Sequence, residues 1–284
     1  MAENTGISWT DSTWNPWIGC TKVGPGCDNC YAEALMDKRW HRVQWGSGKQ
    51  RVRTSASNWM APLHWEKHHE AFARIHGRRR RVFCASLADV FDNEVPPEWR
   101  DDLWALVKAT PHLAWLVLTK RIGNVAGMAP AEGLPPNVWL GATIVTQEEA
   151  DRDIPKLLHI PATVRFLSME PLLEPVDLSS LLHLTVARNG AWQCNNKFHE
   201  RRPEWIIVGG ESGSKARPFN LHWARDIVAQ CKAAGVRVHV KQLGAVVHAD
   251  RGDSFLLRLR DKAGGDMAEW PEDLRVRQHP DHSF

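Results

Sequence analysis

Three cysteines, Cys20, Cys27 and Cys30, stand within eleven positions of each other in TWNPWIGCTKVGPGCDNCYAE, residues 13–33, and they are half of the six cysteines in this 284-residue chain. Six residues separate the first pair and two the second, and Gly19, Gly24, Pro25 and Gly26 mark the stretch as a tight loop. Thiolates gathered on one short loop can converge on a single metal centre. Three ligands leave one position open. On an iron–sulfur cluster that is an iron able to take a substrate or cofactor; on zinc it calls for a fourth ligand, and His41 is the nearest histidine in sequence. Free thiols or disulfides are the remaining reading.

A second set of reactive residues follows apolar runs of strand length. VFCAS (82–86) leads to Ser86 and Asp89, AWLVLT (114–119) to Thr119, Lys120 and Arg121, and VWLGAT (138–143) ends on Thr143. VRFLS (164–168) leads to Ser168 and Glu170, WIIVGG (205–210) to Gly209, Gly210, Glu211 and Ser212, and VRVHVK (236–241) to Lys241 and Gln242. Glu170 in SMEPL and Glu211 in GGESG suit a cationic amino group, and Lys120 and Arg121 suit a carboxylate or phosphate. GGESG lacks the spacing of a phosphate loop or a dinucleotide fingerprint.

Helical patterns such as Trp99, Leu103, Leu106, Val107 and Trp223, Ile227, Val228, Cys231 lie between these runs. Alternating strand and helix predicts a mainly parallel sheet, in which ligands bind at the carboxyl ends of the strands. With a short strand before the cysteines the count is about seven βα units, too few for a closed eight-stranded barrel. The expectation is therefore an α/β fold, a partial (β/α) barrel of mainly parallel strands, with the cysteine loop at the top of its first unit. It is read as a single domain, 1–284, with an insertion at about 183–204, a candidate lid or partner surface, and a small C-terminal extension from about 245.

Other stretches read as structural. Residues 28–42 lack Gly and Pro and predict a helix, 43–61 a polar loop or flap, and 62–76 a helix with Pro62 near its start. The run Arg78–Arg81 reads as solvated charge, and the alternation in VRVHVK as an edge strand or wet interior. His64 and His68 lack the glutamate of an HExxH pair. Cys84 and Cys231 read as core, whereas Cys194 lies in a polar stretch and is a candidate fourth ligand or reactive thiol. Seven of the fifteen tryptophans fall in the first 65 residues and predict core and lid packing, with one or two available for stacking.

A net charge of +3 is too small to announce a nucleic-acid binder. The polar start carries no signal-peptide core and no apolar run reaches the length of a membrane span, so no membrane and a cytoplasmic location are expected. In that compartment clustered cysteines more often bind metal than pair.

NPWIGC and GCDNCYAE resemble the cluster loop of radical S-adenosylmethionine enzymes, nearest to the spore photoproduct lyase-like branch, with a longer gap between the first two cysteines. More closely, WTDSTWNPWIGC, GCDNCYA, SLADVFDN, LTKR, VWLGAT, SMEPLLEP, IIVGGESG, ARPF, VKQLG and EWPEDLRV resemble, in order over about residues 7–277, the bacteriophage Gp37/Gp68 or three-Cys-motif family. The radical-enzyme resemblance implies a 4Fe-4S cluster on Cys20, Cys27 and Cys30 that binds S-adenosylmethionine and cleaves it reductively to a 5′-deoxyadenosyl radical. It also implies a flavodoxin- or ferredoxin-like electron donor and a nucleic acid or nucleotide substrate, modified or repaired. Expected catalytic residues are Glu170, Glu211 and Lys120. Expected cofactor-binding residues are Tyr31, Thr143, Ser168, Glu170, Gly209, Gly210, Glu211 and Lys241. Two other readings stay open: a non-catalytic or redox-sensing iron–sulfur protein acting with a protein partner, and a zinc-stabilised nucleic-acid-binding module.

Overall fold

Apolar runs with helical stretches between them become strands when both faces of the sheet are covered, and this chain follows that rule. The computed structural model describes residues 2–186, 192–194, 202–249 and 256–281. Its main strands are β1 (Ser12–Trp14), β2 (Arg80–Cys84), β3 (Leu113–Thr119), β4 (Val138–Thr143), β5 (Val164–Met169), β6 (Trp205–Gly209) and β7 (Arg237–Gln242). All six long strands read from sequence are present, with ends within two residues of expectation. They form one seven-stranded parallel sheet in sequential order, β1 to β7. An order without reversal is that of a barrel and not of a doubly wound sheet, so the fold is the expected partial (β/α) barrel.

The chain divides into two compact units, Met1–Ala142 with Ile160–Val164 and Asp281–Phe284, and Thr143–His159 with Arg165–Pro280. In the first unit the core is built on β2 and β3, where Val82, Cys84, Leu113, Trp115, Leu116 and Val117 are fully buried. Tryptophans fill much of the remainder. Trp14 meets the edges of Trp59 and Trp115 at centroid distances of 5.1 and 5.4 Å, within the range of favourable edge contacts. Trp40, by contrast, is exposed.

Three local expectations in this unit are corrected. The helix read over 28–42 is shorter, α1 (Tyr31–Glu33) running into a wider π-wound turn over Ala34–Arg39 in which the Trp40 amide reaches back to the Leu35 carbonyl. The polar stretch 43–61 is no flap: it holds the buried Arg51 and a two-residue strand, Val52–Arg53, paired with Trp17–Ile18, and from Ala56 it is helix. That helix, α2 (Ala56–Lys67), begins at Ser55, whose hydroxyl accepts from the Asn58 amide, so Pro62 lies inside it. Proline has no amide to offer the carbonyl four residues back. That carbonyl, of Asn58, accepts the Trp14 indole N–H at 2.8 Å instead, which is how an interior proline is tolerated. After His68 the chain restarts as α3 (His69–His76) and stops at Gly77.

The run Arg78–Arg81 is not solvated. Arg78 grips the Asp11 carboxylate through both terminal nitrogens at 2.6 and 2.7 Å, Arg80 lies over the Phe72 ring, and Arg81 is buried in β2 with its amide donating to Asp11. Burial pushes the Arg81 guanidinium down to about 10, against the opposing Asp11 charge. The basic run had to enter the sheet because Val82 and Phe83 follow it directly, and Asp11 supplies the charge that permits it.

In the second unit α5 (Gln147–His159) and α6 (Leu221–Ala234) accompany β5 to β7, numbering α4 (Pro97–Lys108) between β2 and β3. The polar alternation of β7 yields an edge strand, as one reading expected. Its His239 is nevertheless wholly buried, because residues 276–278 run along the open edge: the Val240 amide donates to Val276 and the Gln278 amide to Val238. Phe219–Asn220, Val247–His248 and Leu256–Leu257 make a small three-stranded sheet. Of the insertion at 183–204, Leu184–Val186 pairs antiparallel with Trp192–Cys194, while residues 187–191, 195–201 and the Cys194 side chain lie outside the described residues. Among the described residues no helix is long and apolar enough to cross a membrane.

Candidate metal centre

The loop that follows β1 is set by its own polar residues. Asn15 is buried, its carbonyl oxygen accepts Thr54 Oγ1 and Asn58 Nδ2 at 2.9 Å each, and its side-chain oxygen accepts the Leu87 amide at 2.7 Å. Gly19 has φ of 112°, and a Cβ there would stand 3.1 Å from both the Arg51 and Val43 side chains, so this position demands glycine. Its amide donates to Leu87, holding the loop against the residues that leave β2.

Beyond it, Cys20, Cys27 and Cys30 are free thiols, Cys27 buried and the other two half-buried. A 3-10 turn over Pro25–Cys27 and the start of α1 carry the second and third, and Lys22 clasps the loop by pairing with Glu33 at 2.9 Å and donating to the Asp28 carbonyl. Tyr31 is exposed, and its hydroxyl donates to the Ser86 carbonyl at the carboxyl end of β2.

Cys20 is held by a charged lattice that the sequence reading saw only in part. Arg121, just past β3, donates from Nη1 to the Cys20 sulfur at 3.4 Å and from Nη2 to the Thr21 carbonyl at 2.7 Å. The same guanidinium meets Asp89 at 3.2 Å and Asp92 at 3.8 Å. Asp89 also accepts Thr119 Oγ1 and the Lys120 amide at 2.8 and 3.1 Å. Behind it Arg51, whose side chain is 0% exposed, meets Asp92 at 2.7 Å and Glu94 at 3.0 Å and donates to Thr21 Oγ1 and the Gly46 and Lys49 carbonyls. Burial pushes the Cys20 thiol up to about 12, Asp89 adding to the rise and Arg121 opposing it. For Arg121 burial works downward, yet Asp89, Cys20 and Asp92 outweigh it and keep the guanidinium charged.

Arg121, expected to bind a carboxylate or phosphate, is engaged by the chain's own Asp89. Arg51 was missed. Its signal was SLADVFDN: two aspartates and a nearby glutamate following a buried strand require buried cations.

Lys120 contributes its amide to this lattice. In the second unit Lys241 Nζ lies 2.6 Å from Glu170 Oε1, and Arg217, from the ARPF motif, donates to both oxygens of Glu211. The Ser168 carbonyl accepts the Ile144 amide, and Ser168 itself is buried. A Cβ on Gly210 would stand 2.4 Å from the Leu243 carbonyl, and one on Gly209 3.0 Å from that of Gln242. The room at both glycines is therefore taken by the chain. Thr143 is buried, and its hydroxyl has no hydrogen-bond partner among the described residues.

A family model described as "Protein of unknown function (DUF5131)" matches residues 4–272. The chain belongs to this family. The match takes in the cysteine loop, the Arg51–Arg121 lattice, and the Glu170–Lys241 and Glu211–Arg217 pairs of this DUF5131 member. Searches of curated proteins and of solved structures return no match.

Proposed function

We propose that this chain is an iron–sulfur protein of the radical S-adenosylmethionine type that modifies or repairs a nucleic acid or nucleotide. The observation that carries it is a loop of three free cysteines at the carboxyl end of the first strand of a partial barrel, with one sulfur held by an arginine from the end of the third. Three thiolates fit a cluster with one iron left for the cofactor. A single tetrahedral zinc would want a fourth protein ligand, which these three cysteines do not supply by themselves.

When bound, the cluster and S-adenosylmethionine would supply one-electron reduction and a carbon radical. The chain's own part is to bind and orient. Cys20, Cys27 and Cys30 would hold the cluster. Arg121 fixes the Cys20 sulfur, and hydrogen bonds to such sulfurs tune the reduction potential. Among the second unit's residues, the unsatisfied Thr143 hydroxyl supports contact with a polar ligand group, and Glu170 and Glu211 supply carboxylates for a cationic amino group.

One observation favours a second reading. Both carboxylates already carry a cation, Lys241 on Glu170 and Arg217 on Glu211, so an incoming ammonium would have to displace a partner. A redox-sensing iron–sulfur protein that acts with a protein partner needs no such displacement. Iron and sulfide analysis of anaerobically purified protein tests what the two readings share. About four irons per chain, lost in Cys27→Ala, supports both; a colourless protein that takes up no iron contradicts both.

A further inference from the structure

Glu66, His69 and His112 are brought together by the fold with their ligand atoms all within 4.8 Å of one another. Glu66 is near the end of α2 and His69 opens α3 three residues later, past the break at His68. His112 immediately precedes β3. We propose that these three residues form a second metal site, for a divalent ion of zinc type, independent of the iron–sulfur reading.

The chemistry of each donor is already arranged. His69 Nδ1 lies 2.8 Å from the Glu66 backbone carbonyl, which can only accept, so Nδ1 carries the proton and Nε2 keeps its lone pair. This is the backbone contact that fixes the tautomer of a metal-binding histidine. His112 Nδ1 lies 2.5 Å from Glu66 Oε1, and the other carboxylate oxygen accepts the His112 amide at 3.2 Å. The carboxylate is mostly buried, 16% exposed, and among the described residues it meets no lysine or arginine. A metal replaces the proton shared by His112 and Glu66. Two imidazoles and a carboxylate form a recurrent zinc donor set, with water completing the tetrahedron. Ligand atoms on such an ion lie about 3.4 Å apart, inside the 4.8 Å that the three donors already span. The two imidazoles stack at 3.7 Å and 9°, so one ring has to turn out of the stack before both lone pairs can point at one ion.

The site is separate from the cysteine loop. His112 enters β3 and Arg121 follows its end, so seven strand residues, roughly 20 Å, part the two. A metal here would tie the α2–α3 junction to the start of a largely buried strand.

Zinc uptake by the full chain, measured by equilibrium dialysis, tests the proposal in wild type, Cys27→Ala, His69→Asn and His112→Asn. Asparagine keeps a donor where Nδ1 stands, so these variants preserve the contacts to Glu66 while removing the ring nitrogen. Wild type and Cys27→Ala should both bind one zinc at this site, and each His variant should bind it at least about tenfold more weakly. Cobalt in Cys27→Ala should give visible ligand-field bands without sulfur-to-cobalt charge transfer. Unchanged affinity in both His variants overturns the proposal. So does cobalt binding that shows only sulfur charge transfer, or no binding at all by Cys27→Ala, and these two readouts hold even if a His variant fails to fold.

Discussion

Arg121 donates to the Cys20 sulfur at 3.4 Å while its guanidinium lies 3.2 Å from Asp89, so one side chain ties the first cysteine of the loop to the end of the second strand's connection. The arrangement aims a cation at a sulfur and neutralises a buried aspartate at the same time.

Arg121→Gln should therefore do two things. It leaves Asp89 without its cation, a loss of about 3 kcal/mol in unfolding free energy. It also frees Cys20 and Thr21, so iron content after reconstitution should fall below wild type even at temperatures where the variant remains folded. Circular dichroism with urea and iron analysis give the two numbers separately.

Arg51 is the larger structural commitment. Its side chain is fully buried and bonds Asp92, Glu94, Thr21 and two carbonyls. Arg51→Met leaves two carboxylates without their shared cation and should cost about 3 to 5 kcal/mol in urea denaturation. Arg51→Lys should recover only part, since an ammonium cannot reproduce the planar fork.

Asp11 gives a pH signature. Burial works to raise its pKa, but the Arg78 hydrogen bonds, the Arg81 amide and both guanidinium charges prevail and hold it below 3.8. A carboxylate depressed in the folded state contributes stability above its unfolded pKa and loses it as pH falls through the folded one. The stability gap between wild type and Asp11→Asn should be full at neutral pH and close steadily below about pH 4. A gap independent of pH would mean that Asp11 acts through packing alone.

Gly210 separates a structural from a ligand-facing glycine. With the Leu243 carbonyl 2.4 Å from where a Cβ would be, Gly210→Ala should destabilise by about 1 to 3 kcal/mol in the absence of any cofactor. A variant with unchanged melting that only loses cofactor binding would return the glycine to a ligand role.

Strands were legible because Val, Ile, Leu and Trp runs such as AWLVLT and WIIVGG are long, apolar and bounded by polar residues. Their sequential order followed from alternation with helices. The cysteine loop was legible from spacing alone. What was not legible depended on partners distant in sequence. Arg51 looked like part of a polar loop because Asp92 lies 41 positions away. The Arg78–Arg81 run looked solvated because Asp11 is 67 positions from Arg78. His112 lay outside every motif, and only the fold sets it beside Glu66, 46 positions earlier. Pro62 misplaced a helix start because its orphaned acceptor is satisfied by a tryptophan on β1.

The measurement that bears most directly on the proposed chemistry is reductive cleavage of S-adenosylmethionine by the anaerobically reconstituted chain. Iron–sulfur chemistry of the radical type predicts 5′-deoxyadenosine on reduction and none from Cys27→Ala. A fully loaded, reduced cluster that leaves S-adenosylmethionine intact would contradict it.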